Sequence, residues 1–314
     1  MPTPDERLVL AEEGGRGERD EHGGEHHPRR RRWVGRVVVL LVVAIVAVSG
    51  YQAYLAVRRS LFSASCTVTA AGTSFTFTPE QTANAALIAA ISVKRGLPPR
   101  AATIALATSI QESKLLNLTY GDRDSLGLFQ QRPSAGWGTK EQILDPAYST
   151  NKFYDALIKV KDYQTAAITK VAQAVQRSGF PEAYADHEQQ GRVLASTLSG
   201  QSPAGLACQV EPVARAADGT TRTTGATIAA DLAAQLGSPA TVSGAELTVA
   251  APDAALAWAA AQWAVARAQA YGIDRVQVAG RTWARSEEDS ALTWRQDGSA
   301  GATTVVIRLG AASA

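Results

Sequence analysis

A chain of 314 residues, 46% hydrophobic and 19% charged, has room for about two domains and the composition of a protein that buries a core. Its net charge of +2 is near balance, which excludes a protein drawn to nucleic acid by overall charge. Two cysteines, Cys66 and Cys208, leave room for one bridge.

Residues 1–32 read as a disordered tail, rich in Glu, Asp, Gly and Arg, with almost no large apolar residue between Leu10 and Pro28. His22, His26 and His27 lie in this tail with no scaffold to fix them, so no metal is assigned. Residues 33–57 read as a transmembrane helix, uncharged and rich in β-branched residues from Val37 to Val57. The block Arg29–Arg32 on its N-terminal side places that end in the cytoplasm, and Arg58 and Arg59 weaken the asymmetry without reversing it. No small-x-small cleavage site follows, so the segment reads as an uncleaved anchor with the main domains outside the cytoplasm. Ser63–Cys66 lacks the leading Leu of a lipoprotein box, and lipidation is discounted. On this topology both cysteines are in an oxidising compartment, which predicts a Cys66–Cys208 disulfide.

Residues 58–77 read as a stalk. Thr78-Pro79-Glu80-Gln81 then starts a helix, with Thr78 as N-cap, Pro79 at the first helical position and Gln81 closing a capping box; Gly96 and Pro98-Pro99 stop it. The next helix carries no charge from Ala101 to Ile110, which suits a core. Leu106 and Ile110 form one wall; Ala105, Thr108, Ser109 and Glu112 form a wall of small residues ending in a carboxylate. Desolvation and the negative helix end would both keep that carboxyl protonated, as general-acid cleavage of a glycosidic bond requires. Glu112 alone is equally what a fraying helix end reaching solvent would show. Tyr120–Gln131 is a loop holding Asp122 and Asp124. Without a Gly and Glu at EF-hand spacing this is a solvated turn rather than a calcium loop, and either Asp is an alternative second carboxylate for hydrolysis. Trp137 suits stacking on a sugar ring and plugging the edge of the core equally well. Thr139–Gln142 is a second capping box, Asp145-Pro146 starts a longer helix, and further helices are expected at 166–177 and 181–198. Residues 211–224 are a Thr-rich linker, and residues 225–314 read as a small C-terminal α/β domain to which no chemistry is assigned. In it, helices at 226–236 and after Asp253 accompany strands at 246–250, 276–278, 282–284 and 303–309.

Glu112-Ser113, a polar loop, then Gly127-Leu128-Phe129-Gln130 resembles the E-S … G-L-M-Q signature of lytic transglycosylase and goose-type lysozyme domains, with Phe129 for the usual Met. Asp145-Pro146, Asn151 and Tyr154 match residues familiar in that group, and the fuller text looks like a membrane-anchored actinobacterial branch of it. The resemblance covers roughly Thr78 to Gly200. It implies an all-α lysozyme-like domain at 78–210 acting on peptidoglycan glycan strands without a cofactor. Glu112 would be the catalytic acid, with Ser113, Tyr120, Gly127, Gln130, Gln131 and Tyr154 lining or shaping the glycan cleft. The family also carries an Ala-Tyr-Asn-Ala-Gly run, and the nearest stretch here, Ala174–Gly179, lacks its Tyr-Asn pair. Transglycosylation, hydrolysis by the same cleft and a non-catalytic glycan-binding module therefore all stay open.

Overall fold

The computed structural model describes residues 28–176, 181–213 and 223–310, so the expectations for the tail before Pro28 and most of the linker lie outside the described residues. The described residues divide into two units, one ending at Phe62 and one beginning at Ser63. In the first, α1 (Pro28–Leu61) contains a 19-residue stretch, Arg36–Tyr54, long and apolar enough to cross a membrane. At 1.5 Å per residue it rises about 28 Å, close to the thickness of a hydrocarbon core. Its Val and Leu side chains from Val38 to Val48 are exposed.

The second unit corrects the expected all-helical domain. The protein is about 51% helix and 17% strand, with antiparallel sheets of three and six strands. Residues expected as stalk pair into a hairpin, β1 (Ser65–Ala70) and β2 (Thr73–Phe77), and β3 (Leu206–Gln209) joins β1 from the far end of the helical region. The cause is local. Cys66, Val68 and Ala70 alternate inward with polar residues outward, and Ala71-Gly72 (φ 49° and 77°) supply the left-handed turn a two-residue hairpin needs. Cys66 lies directly opposite Cys208, and the two are joined in a disulfide that closes 142 residues of sequence. Replacing both by Ala should lower the unfolding free energy by up to about 5 kcal/mol, read as a lower denaturant midpoint.

Six described helices follow the hairpin in the order the sequence dictates. Thr78 and Gln81 complete the capping box of α2 (Pro79–Lys94). After Pro98 the apolar α3 (Pro99–Ser113) begins, buried without interruption from Ala101 to Ile110. A second capping box at Thr139 starts the single turn α4 (Lys140–Ile143), and Asp145 caps α5 (Pro146–Leu157). The helices α6 (Ile168–Gln176) and α7 (Glu188–Leu198) flank a 3₁₀ segment, Pro181–His187. α7 lies against α3 with Gly191 at the contact. A Cβ there would stand 2.7 Å from the Thr103 carbonyl, so only glycine permits this approach.

The C-terminal part has the expected mixture of helices and strands: an antiparallel six-stranded sheet backed by helices α8 (Gly225–Leu236), α9 (Ala254–Ala266) and α10 (Ala268–Tyr271). Its strands are β4 (Ala240–Ser243), β5 (Glu246–Ala250), β6 (Ile273–Val278), β7 (Arg281–Ala284), β8 (Arg295–Gln296) and β9 (Thr304–Leu309), in the spatial order β4-β5-β9-β6-β7-β8. Leu247, Val249, Val276, Val278, Trp283, Val305 and Ile307 are buried from it. α9 is buried from Ala257 to Ala266 because it is covered on two sides, by β6 and β9 and by α2, α7 and β3. The fully buried Gln262 on α9 donates to the Thr197 carbonyl at 2.6 Å and accepts from the Leu206 N–H at 3.0 Å. One core thus runs through the unit, which extends from Ser63 to the C-terminal sheet.

Candidate functional site

The site is built on the end of α3. Lys114 (φ 55°) and Leu115 (φ 61°) leave the helix in the left-handed conformation, with their N–H groups on the carbonyls of Ile110 and Ser109. Gln81 and Asn84 of α2 donate to the Lys114 and Leu115 carbonyls. The helix end is held rather than frayed, so Glu112 projects from a fixed point.

The G-L-F-Q segment is clamped to the same helix. Ser109 and Ser113 both donate their hydroxyls to the Leu128 carbonyl, at 3.0 and 2.8 Å. Ser113 is therefore buried and positions the loop rather than facing a ligand. Gly127 (φ 76°) packs so closely that a Cβ would lie 2.8 Å from the Ile143 carbonyl. Leu128 and Phe129 fill the core, where Phe129 stacks on Phe153 at 4.5 Å between centroids. Gln130 follows at φ 46°.

Two partners meet the Glu112 carboxyl. The Tyr184 hydroxyl, from the 3₁₀ segment, donates to Oε1 at 2.5 Å, and the Gln176 amide at the end of α6 bonds the carboxyl while donating to the Phe129 carbonyl at 2.7 Å. Burial pushes the Glu112 carboxyl above the ordinary carboxylate range; the bonds from Tyr184 and Gln176 moderate the rise without cancelling it. One 3₁₀ turn beyond Tyr184, His187 Nε2 lies 3.0 Å from Gln111 Oε1, so the segment grips two consecutive residues of α3.

Beside this cluster is a cleft of about 580 Å³, lined in part by Gln130, Arg132, Trp137, Lys159 and Gln176, a size suited to a small ligand or a few sugar rings. Trp137, half-buried, lines the cleft and packs on the core, as a residue plugging the edge of the core does. Gln131 also lines it but is buried, its amide donating to the Ser149 carbonyl.

The remaining expected site residues are placed elsewhere. Tyr154 is fully buried, donates to the Ile88 carbonyl at 2.9 Å and belongs to the core, where burial raises its phenol pKa. Tyr120 stands 70% exposed at the loop tip. Asp124 clamps that loop, accepting from Arg132 Nε at 2.8 Å and from the Ser134 N–H and hydroxyl at 2.8 and 2.9 Å, which hold its carboxyl far below the usual range. Asp122 extends into solvent, 3.9 Å from Arg123. Sequence reasoning missed Tyr184 and Gln176. Tyr184 follows Ala183 just before α7, and of the stretch Ala174–Gly179 residues 177–179 lie outside the described residues.

No family model matches the chain, and no curated protein matches it.

Removing the Tyr184 hydroxyl withdraws one of the bonds that hold the Glu112 pKa down. Tyr184→Phe should therefore move that pKa further up. A titration of the Glu112 carboxyl by NMR checks this, and an unchanged or lowered midpoint would refute the hydroxyl's electrostatic role.

Proposed function

We propose that this is a membrane-anchored protein that cleaves the glycan strands of peptidoglycan by general-acid catalysis at Glu112. One observation carries the reading: a carboxyl with a raised pKa, fixed on a rigid helix end by Tyr184 and Gln176, next to a polar cleft with an aromatic wall. The Glu112 carboxyl gives its proton to the glycosidic oxygen as the C1–O bond breaks, and the departing sugar leaves with a free hydroxyl. The resulting carboxylate takes the proton of the muramyl C6 hydroxyl as that oxygen bonds to C1, so the product is an anhydro sugar and Glu112 returns to its acid form. Asp124, bound by Arg132 and Ser134, favours this route over one needing a second carboxylate to activate water.

Mass spectrometry of products from purified sacculi tests the proposal. Anhydro ends are expected. Reducing ends mean hydrolysis, and binding without release means a glycan-binding module. The arginine block before the span and the disulfide support an N-terminus in the cytoplasm and a site facing the wall. A C-terminal alkaline phosphatase fusion should accordingly be active; an inactive one, with a cytoplasmic reporter active in its place, reverses the orientation.

A further inference from the structure

We infer that His187 is a positioning residue for Glu112, an inference that rests on the reading of Glu112 as the general acid. A 3₁₀ helix has three residues per turn, so side chains three apart share one face. In the segment Pro181–His187 that face carries Tyr184, fully buried, and His187, half-buried, while Ala185 and Asp186 between them are exposed. Tyr184 bonds Glu112 Oε1 at 2.5 Å, and His187 Nε2 lies 3.0 Å from Oε1 of Gln111, the preceding residue of α3. The segment thus meets the end of α3 at two points, and only one of them touches the acid.

The other ring nitrogen faces α7. His187 Nδ1 lies 2.9 Å from Oε1 of Gln190, on the first turn of that helix. The imidazole is therefore a strap from α7 to α3, and its rigid ring fixes where the 3₁₀ segment ends. Tyr184 stands one turn back from that point, so losing the strap would let its hydroxyl drift from Glu112. His187 does not line the cleft beside Glu112; it borders a separate pocket of about 440 Å³ with Gln81, Gln111 and Lys114. Its effect should then fall on the acid and leave ligand affinity alone. A histidine that served only to start α7 would need the bond to Gln190 and not the one to Gln111.

Side-chain length separates the two bonds. Glutamine at position 187 brings an amide nitrogen near the place of Nε2 and reaches Gln111; asparagine ends near Nδ1 and reaches only Gln190. The test measures kcat and KM of the full chain in detergent on soluble, uncrosslinked glycan strands. His187→Asn should lower kcat about 10–10²-fold, up to the loss that a misplacement of about 1 Å brings, with KM unchanged. His187→Gln should stay close to wild type. Gln111→Met removes the same bond from the α3 side and should match His187→Asn, which covers an asparagine variant that fails to fold. Because the strap acts through Tyr184, adding His187→Asn to Tyr184→Phe should cost little more than the worse single change. Wild-type kcat in both His187→Asn and Gln111→Met, equal losses in His187→Asn and His187→Gln, a loss carried by KM, or additive losses with Tyr184→Phe each overturn the inference. An NMR titration of Glu112 separates that failure from failure of the activity. If no variant cleaves, yet the Glu112 midpoint departs from wild type in His187→Asn and not in His187→Gln, the strap stands and the activity falls. If wild type cleaves and neither kcat nor midpoint changes in His187→Asn, the strap falls and the activity stands.

Discussion

Glu112→Gln is expected to reduce glycan cleavage by at least about 10²–10⁴-fold, the contribution typical of a positioned general acid. The amide keeps the shape of the side chain and can still accept from Tyr184, but it has no proton to give. Binding to insoluble peptidoglycan should survive, because the cleft residues Gln130, Trp137 and Lys159 are untouched. Stability should respond in the opposite direction to activity. Because burial raises the folded-state pKa, the folded protein holds this proton at pH values where the unfolded chain has released it. Glu112 therefore lowers stability progressively as pH rises from the ordinary carboxylate range through the folded pKa. The Gln variant lacks that loss, so its stability relative to wild type should grow from acid to neutral pH in denaturant titrations. A folded Glu112→Gln protein that cleaves as well as wild type would remove Glu112 from the mechanism.

Local signals in the chain were readable, and signals that depend on distant partners were not. The capping boxes at Thr78 and Thr139, the caps at Asp145 and Asp253, the bridging cysteines and the apolar α3 each rest on a few neighbouring residues, and each is present. The hairpin of β1 and β2 also has a local pattern, but its strands were read as stalk. What makes them strands is β3, whose Ala207 and Cys208 pair with Thr67 and Cys66 from far along the chain. The same reason hid the strand order of the C-terminal sheet: nothing near β9 in sequence says that it will lie between β5 and β6. At the site, Glu112 and the G-L-F-Q turn were legible because they are close in sequence. Tyr154 was misplaced because a tyrosine matching a motif carries no sign of whether its hydroxyl meets ligand or, as here, a helix carbonyl. Tyr184 was missed because only the folding of the 3₁₀ segment onto α3 gives it a role.

The second large effect is expected at Gln262, far from Glu112 along the chain. Gln262→Leu keeps the volume of the side chain and removes both polar ends. The Leu206 N–H on β3 would then be buried without a partner, and the Thr197 carbonyl on α7 would keep only the Gly200 N–H. At about 1–3 kcal/mol for the unsatisfied N–H and about 1 kcal/mol for the bond lost at Thr197, the loss should be roughly 2–4 kcal/mol. The effect should not stop at the C-terminal sheet. α7 packs on α3 through Gly191, and β3 holds the disulfide partner of Cys66, so loosening α9 withdraws support from the elements that present Glu112. Gly200 reinforces the point: at φ 80° it lies so close to α9 that an added Cβ would overlap the Ala255 carbonyl. Wild type and Gln262→Leu should therefore each unfold in one transition, the variant at lower denaturant, with probes in both parts reporting the same midpoint. Separate midpoints for a label near Glu112 and one on the C-terminal sheet would show that the shared core does not couple them.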